Sequence, residues 1–278
     1  MLSIFFGLLS AITWGAGDFA GGLASRKLGA YRAVLYADFF GLLLIGIALG
    51  VYPEAIPSTA AFVYSAIGGA LGSVGLLLLY YSLARGQMSI AAPVSALSAG
   101  LLPVIVGAIT EGIPHWVQLL GFGLALLAIW LISSGQGFHV ERLADLRLPI
   151  LAGLGFGSYF IFIHYATQET NSVLWTMVIS RLAGTVLLLV VVLARRDSLS
   201  VPRDAWTVVF FNAALDVGGN FFYILASRLG RLDVAAVLSS LYPGSTVLLA
   251  WLLLKERISL QQWIGIGAAL IAIVLFTL

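Results

Sequence analysis

The stretch LSSLYPGSTVLLAWLLLKERISLQQWIGIGAALIAIVLF, Leu238 to Phe276, holds two long apolar runs parted by the charged step Lys255-Glu256-Arg257. A membrane-spanning helix needs roughly 20 mostly apolar residues, and in lipid only helices or closed barrels satisfy their backbone hydrogen bonds. These runs are too long for barrel strands. Outward from this stretch the pattern repeats along all 278 residues. The chain is 61% hydrophobic and 9% charged, with a mean hydropathy of +1.06, whereas a soluble domain carries about a quarter charged residues. An all-α membrane protein is therefore expected. Without cysteine, disulfides, thiolate-bound metals and cysteine nucleophiles are excluded.

Charge and Gly/Pro punctuation place ten helices near 2–23, 33–51, 59–83, 88–110, 115–133, 148–167, 172–194, 204–227, 232–253 and 258–277. The first has no basic region before it and no cleavage pattern after it, so it reads as a retained helix and not a signal peptide. Basic residues mark the cytoplasmic side. Eleven of them follow odd-numbered helices: Arg26, Lys27, Arg32, Arg85, Arg142, Arg147, Arg195, Arg196, Arg203, Lys255 and Arg257. Only Arg228 and Arg231 lie in the opposite loops. Both termini are thus expected on the outer face of the inner membrane.

The opening stretch has a partner in the first half, VSALSAGLLPVIVGAITEGIPHW from Val94. Gln118, Gly121 and Ala125 recur 144 residues later as Gln262, Gly265 and Ala269, and Gly86 recurs as Gly230. Glu111 returns as Glu256 with one residue of slip, Gly15 as Gly157, and Gly41 as Gly184. A period of half the chain means a duplicated unit. Five helices per unit is an odd number, so the second enters the membrane inverted; such repeats are built for alternating access, with the solute held near the midplane. The units are expected at 1–133 and 148–278, joined by a cytoplasmic linker at 134–147 that Phe138, Val140, Leu143 and Leu146 could lay on the headgroups.

With its mid-helix Pro243, Glu256 at the turn and Gly265 opening the last span, the Leu238–Phe276 stretch resembles the closing helix pair of the EamA-type members of the drug/metabolite transporter superfamily. Trp14-Gly15 and the Val94 stretch are weaker versions of that family's pattern, and the resemblance extends over the whole chain. It implies export or uptake of small metabolites such as amino acids, amines or sugar derivatives, by exchange or proton coupling. Arg181 stands where many relatives carry an arginine early in the second helix of a repeat, but the first-half equivalent here is Asp38. Many relatives are also described with cytoplasmic termini, opposite to the basic-residue count above.

Charged side chains near a bilayer centre cost roughly 3 kcal/mol or more, and normally face a partner or a water-filled cavity. Those placed well inside spans are Asp18, Asp38, Arg181 and Asp216. Asp216 leads: Asn212, Asp216, Asn220 and Tyr223 recur along one face of helix eight, as a solute-binding or proton-coupling stripe or as interhelical glue. Asp18 and Asp38 are expected to be shallower, near the cytoplasmic mouth, as gating or proton-binding acids or as water-exposed carboxylates paired with Arg26, Lys27 or Arg32. Arg181 needs a counter-ion or an anionic substrate group. His164 reads as an interfacial polar residue or a pH sensor. Trp14, Tyr36, Tyr80, Tyr81, Trp175 and Tyr242 are wall or membrane-belt candidates. Pro93, Pro103 and Pro243 free carbonyls beside Ser95, Ser98, Ser239, Ser240 and Ser245 in corresponding helices, as polar spots or plain kinks. Gly17 with Gly21, and Gly68 with Gly72, have close-packing spacing.

No HExxH, GxSxG or P-loop occurs, and Gly153, Gly155 and Gly157 lie in a lipid-length helix and not after a strand, so neither an enzyme nor a bound cofactor is expected. The expected function is secondary active transport of a small polar metabolite, a cation or zwitterion, with a channel or a non-transporting scaffold as alternatives. The expected partners are that solute, the bilayer and a coupling proton, with no nucleic acid, in a monomer or homodimer.

Overall fold

A computed structural model describes residues 1–84, 88–134, 143–196, 199–255 and 257–277. Among them the regular structure is all helical: α1 (Leu2–Leu28), α2 (Ala30–Val51), α3 (Thr59–Ala84), α4 (Met88–Thr110), α5 (Trp116–Ser133), α6 (Arg147–Glu169), α7 (Val173–Ala194), α8 (Trp206–Leu229), α9 (Leu232–Ser239), α10 (Tyr242–Leu254) and α11 (Leu260–Thr277), with single 3-10 turns before α6 and α8. Among the described residues, nine segments are long and apolar enough to cross a membrane, counting α9 with α10 as one, and within α4 a shorter apolar helix covers Val94–Thr110.

Two boundaries differ from expectation. α1 runs five residues past the apolar stretch and α2 begins three residues early, leaving Gly29 alone between them. Hydropathy marks where the apolar face ends, whereas Ser25, Arg26 and Lys27 go on winding as helix with polar side chains. Gly29 makes the reversal at φ +81°, a left-handed backbone that costs a residue with a Cβ. The ninth span breaks after Ser239 and restarts at Tyr242, with Pro243 in the first turn of α10. Proline has no N–H to lose there, so it opens a helix where a mid-helix kink was expected. Of the linker, one helical turn at Leu143–Leu146 is described; Phe138 and Val140 lie outside the described residues.

Packing is reciprocal between the halves. α1 packs on α8 as α6 packs on α3, and α2 on α7, α4 on α9 and α5 on α11 join counterparts directly. At residue level, Gly121 lies against Leu275 and Phe276, while Gly265, 144 residues on, lies against Leu131 and Ile132. Gly15 faces the Tyr242 carbonyl and Ser245, and Gly157 faces the Ala99 carbonyl and Leu102. Contacts that survive exchange of the halves describe a pseudo-two-fold axis. The start of α5 meets the end of α11 and the end of α5 meets its start, so these counterparts run antiparallel and the axis lies across the helices.

Several of the small residues lie at the crossings, where they let backbones approach closely. Gly17 meets the backbone of Asp216, Gly72 meets Tyr159, and Gly155 meets Gly75.

Candidate functional site: a charged cavity on the axis

Reciprocity carries into the polar core. Asp38 on α2 and Arg181 on α7 are 143 residues apart, as are Gly41 and Gly184; Gly41 packs on the Arg181 side chain and Gly184 on the Asp38 carboxylate. Asp38 and Arg181 are therefore counterparts, and they pair with each other, Arg181 donating to Asp38 Oδ1. A contact between counterparts lies on the axis itself. Each then has a flanking partner: Arg181 donates to Asp216 Oδ2, and Ser73, the counterpart of Asp216, donates to Asp38 Oδ2 at 3.0 Å. The row Ser73, Asp38, Arg181, Asp216 is thus symmetric in position and asymmetric in charge. Two arginines on the axis would repel, whereas one replaced by an acid makes a buried pair.

This row forms part of the wall of a cavity of about 130 Å³ between the halves. By that measure a water needs roughly 10–15 Å³, so the space holds several waters or one small solute. Trp14 and Asp18 come from α1, Tyr159 and Phe160 from α6, Asn212 and Asn220 from α8, and Tyr242 from the start of α10. The indole of Trp14 sits 5.7 Å from the Phe160 ring and 5.9 Å from Tyr223. Tyr159 donates to Asn220 Oδ1, and the Asn220 amide donates to the Asp216 carbonyl at 2.6 Å, bracing the helix turn that carries the Asp216 carboxylate.

The structure redistributes the expected residues. Asp38 is not a carboxylate at the mouth: it is 5% exposed and paired with Arg181, because α2 starts early enough to put it deeper. Asp18 lies at the level of Asp216 and not shallower, since its neighbour Gly17 packs against the Asp216 backbone. Lys27 pairs with Asp204 at 2.6 Å, and Arg32 donates to the Ser200 carbonyl. Tyr36 lies outside the cavity, stacked on Phe40, edge-to-face with Trp206 and donating to the Leu199 carbonyl. Tyr223 is fully buried behind Trp14, its hydroxyl given to the Phe160 carbonyl at 2.6 Å. Ser239 is buried away from the cavity, with no hydrogen-bond partner among the described residues. The Tyr80 side chain lies outside the described ones. Ser73 and Tyr159 escaped the sequence reading; Ser73 was signalled only by its 143-residue offset from Asp216.

A second polar cluster ties the halves near one end. His164, expected as an interfacial residue, is buried: Nε2 lies 3.0 Å from Glu111 Oε1, and Nδ1 lies 2.7 Å from the Ser227 hydroxyl. Arg231 donates to the Gly112 carbonyl and to fully buried Asp233, both at 2.8 Å. Nearby, Glu54 accepts from the Leu174 N–H at 2.8 Å, and the Trp175 indole donates to the Glu54 carbonyl at 3.2 Å.

Comparison with known proteins decides the family. The model of the EamA-like transporter family matches the chain twice, over residues 1–134 and 146–278. The chain belongs to the EamA-like transporter family. As an EamA-like protein it is a multi-pass membrane protein. An uncharacterized protein of Methanocaldococcus jannaschii is similar, 29% identical over 133 residues that make up 48% of this chain and 94% of its own, about the length of one repeat. A putative sugar uptake protein of Lactiplantibacillus plantarum is 20% identical over 240 residues, 83% of this chain and 81% of its own. One crystal structure shares the fold, with a TM-score of 0.80 at 14% identity, covering 99% of this chain and 96% of that one.

Proposed function

We propose that this EamA-like protein is a secondary active transporter that carries a small polar cation or zwitterion across the inner membrane by alternating access. In this reading the halves are inverted five-helix repeats crossing ten times, with both termini outside. The observation that carries it is a charged cavity built where counterpart helices of the two halves meet.

Symmetry then assigns mechanical roles. If the halves exchange conformations, a contact between counterparts maps onto itself, and every other contact maps onto a different one. The Asp38–Arg181 pair lies on the axis, so it persists in both states as a pivot. The cluster of Glu111, His164, Ser227, Arg231 and Asp233 has no such invariance, so it opens and closes as a latch on the outer face. On the basic face the ties between halves include the Lys27–Asp204 pair, which is exposed to solvent and therefore screened and weak. The described conformer is thus latched outside, with its cavity walls reaching Val34 and Leu79 toward the basic face.

Carboxylates line the cavity at Asp18, Asp38 and Asp216 against a single guanidinium, Arg181, which favours a cationic group on the solute. The sugar uptake relative motivates a second reading, a neutral polyol held by Asn212 and Asn220. Counterflow tests the carrier reading: purified protein in liposomes preloaded with an unlabelled amine should accumulate the labelled amine transiently and saturably. Linear, non-saturating flux would point to a channel, and no flux of amines, amino acids or sugars to a scaffold.

A further inference from the structure

The polar groups on the cavity wall divide into those already engaged and those left over. Asp38 and Asp216 are both held by Arg181, and Ser73 gives its hydroxyl to Asp38. Tyr159 and Asn220 brace each other, and the Ser180 hydroxyl donates to the Met177 carbonyl at 3.0 Å. The carboxylate of Asp18, the amide of Asn212, the indole N–H of Trp14 and the hydroxyl of Tyr242 have no hydrogen-bond or ion-pair partner among the described residues. All four line the cavity. Asn212 is only 6% exposed, so its open donor and acceptor face enclosed space and not bulk water.

We propose that these four residues form the recognition subsite for an organic ammonium ion, with Asp18 as its counter-ion; the proposal rests on the cavity being the substrate site. The left-over set contains an anion, an amide, a phenol and aromatic faces, but no free cation. A carboxylate or phosphate ligand would meet Asp18 with nothing to offset the repulsion, because Arg181 is already shared by two acids. A neutral sugar would leave Asp18 without a counter-ion in a low-dielectric site, where an ionised carboxylate is costly. An ammonium neutralises that charge, can hydrogen-bond to the Asn212 carbonyl oxygen, and places its alkyl shell against the faces of Trp14 and Phe160, where cation–π attraction adds to the binding.

The subsite is also asymmetric. The positions equivalent to Asp18, Asn212 and Trp14 in the opposite halves are Phe160, Gly69 and Phe156, so the axis does not generate a second copy. One cation is bound per chain, between α1 of the first half and α8 of the second.

Intrinsic tryptophan fluorescence of the detergent-purified protein, titrated with tetramethylammonium or propylammonium chloride at constant ionic strength, tests the assignment. Saturable binding is expected, weakened at least tenfold in Asp18→Asn for either ion and retained in Asp18→Glu; Asn212→Ala should weaken propylammonium several-fold but tetramethylammonium, which has no N–H to donate, much less. Thermal melts establish that each variant is folded. Equal ammonium binding by Asp18→Asn and the native protein, no ammonium binding by either, or saturable binding of glucose that survives Asp18→Asn would overturn it. The same proteins in liposomes separate this from the carrier reading. Ammonium binding that requires Asp18 but brings no flux leaves the subsite standing and removes the carrier. Saturable flux of a neutral solute that ignores Asp18 does the reverse.

Discussion

Asp216 is the acid that spacing along one helix singles out, and it is also the one whose isolation the structure removes. Its stripe with Asn212 and Asn220 was legible because helical periodicity is local. That Arg181 neutralises it, and that Asp38 completes the cluster, depends on helices far apart in the chain, and only the 143-residue offset between Asp38 and Arg181 hinted at it. The cluster makes a graded prediction. Asp216→Asn leaves Arg181 paired with Asp38, so the protein should express and melt close to native. Arg181→Gln strands two carboxylates, of which Asp38 is almost wholly buried, and should cost about 3–5 kcal/mol, the usual penalty for breaking a buried pair. Melting in detergent checks the order. If Asp216→Asn is the more damaging, Asp38 is not the principal counter-ion.

At the scale of helices, apolar length gave the elements but not their ends. Polar turns such as Ser25 to Lys27 wind on as helix, and a proline one turn into a new helix looks, in sequence, like a proline inside an old one. Small residues were legible as packing sites, yet which glycines touch a partner was not, because that depends on the rotation of each helix in the bundle. Gly69 on α3 shows the consequence: a Cβ there would fall on the backbone of Ser180 in α7, whereas a Cβ on Gly46 of α2 would meet nothing within 4 Å. Gly69→Ala should therefore destabilise the fold by at least about 1–3 kcal/mol through overpacking beside the axis pair. Gly46→Ala should be neutral or gain up to about 1 kcal/mol from helix propensity. Equal melting temperatures for the two variants would contradict the α3–α7 packing.

Across the whole molecule the duplication was readable from offsets of 142 to 144 residues, since an inverted repeat leaves its period in the sequence whatever its substrate. What the period cannot carry is which counterparts touch, and it is from those contacts that the proposed alternating-access reading takes Asp38–Arg181 as a pivot and the His164 cluster as a latch. Orientation rests on eleven basic residues against two, so alkaline phosphatase fused after Leu278 should be active and GFP dark; the opposite pattern would send the latch to the cytoplasmic face. The claim that both halves exchange conformations about one axis is tested most directly by pulsed electron-spin distance measurements. The absence of native cysteine allows nitroxide labels to be placed pairwise. Ile113 with Gln168 reports the latch face, and their counterparts, Arg257 with Arg26, report the basic face; all four positions are exposed. Alternating access predicts two distances for each pair in liposomes, with populations that move in opposite directions on the two faces as solute is added or as Glu111→Gln weakens the latch. Distances that shift together on both faces, or remain single on both, would contradict it.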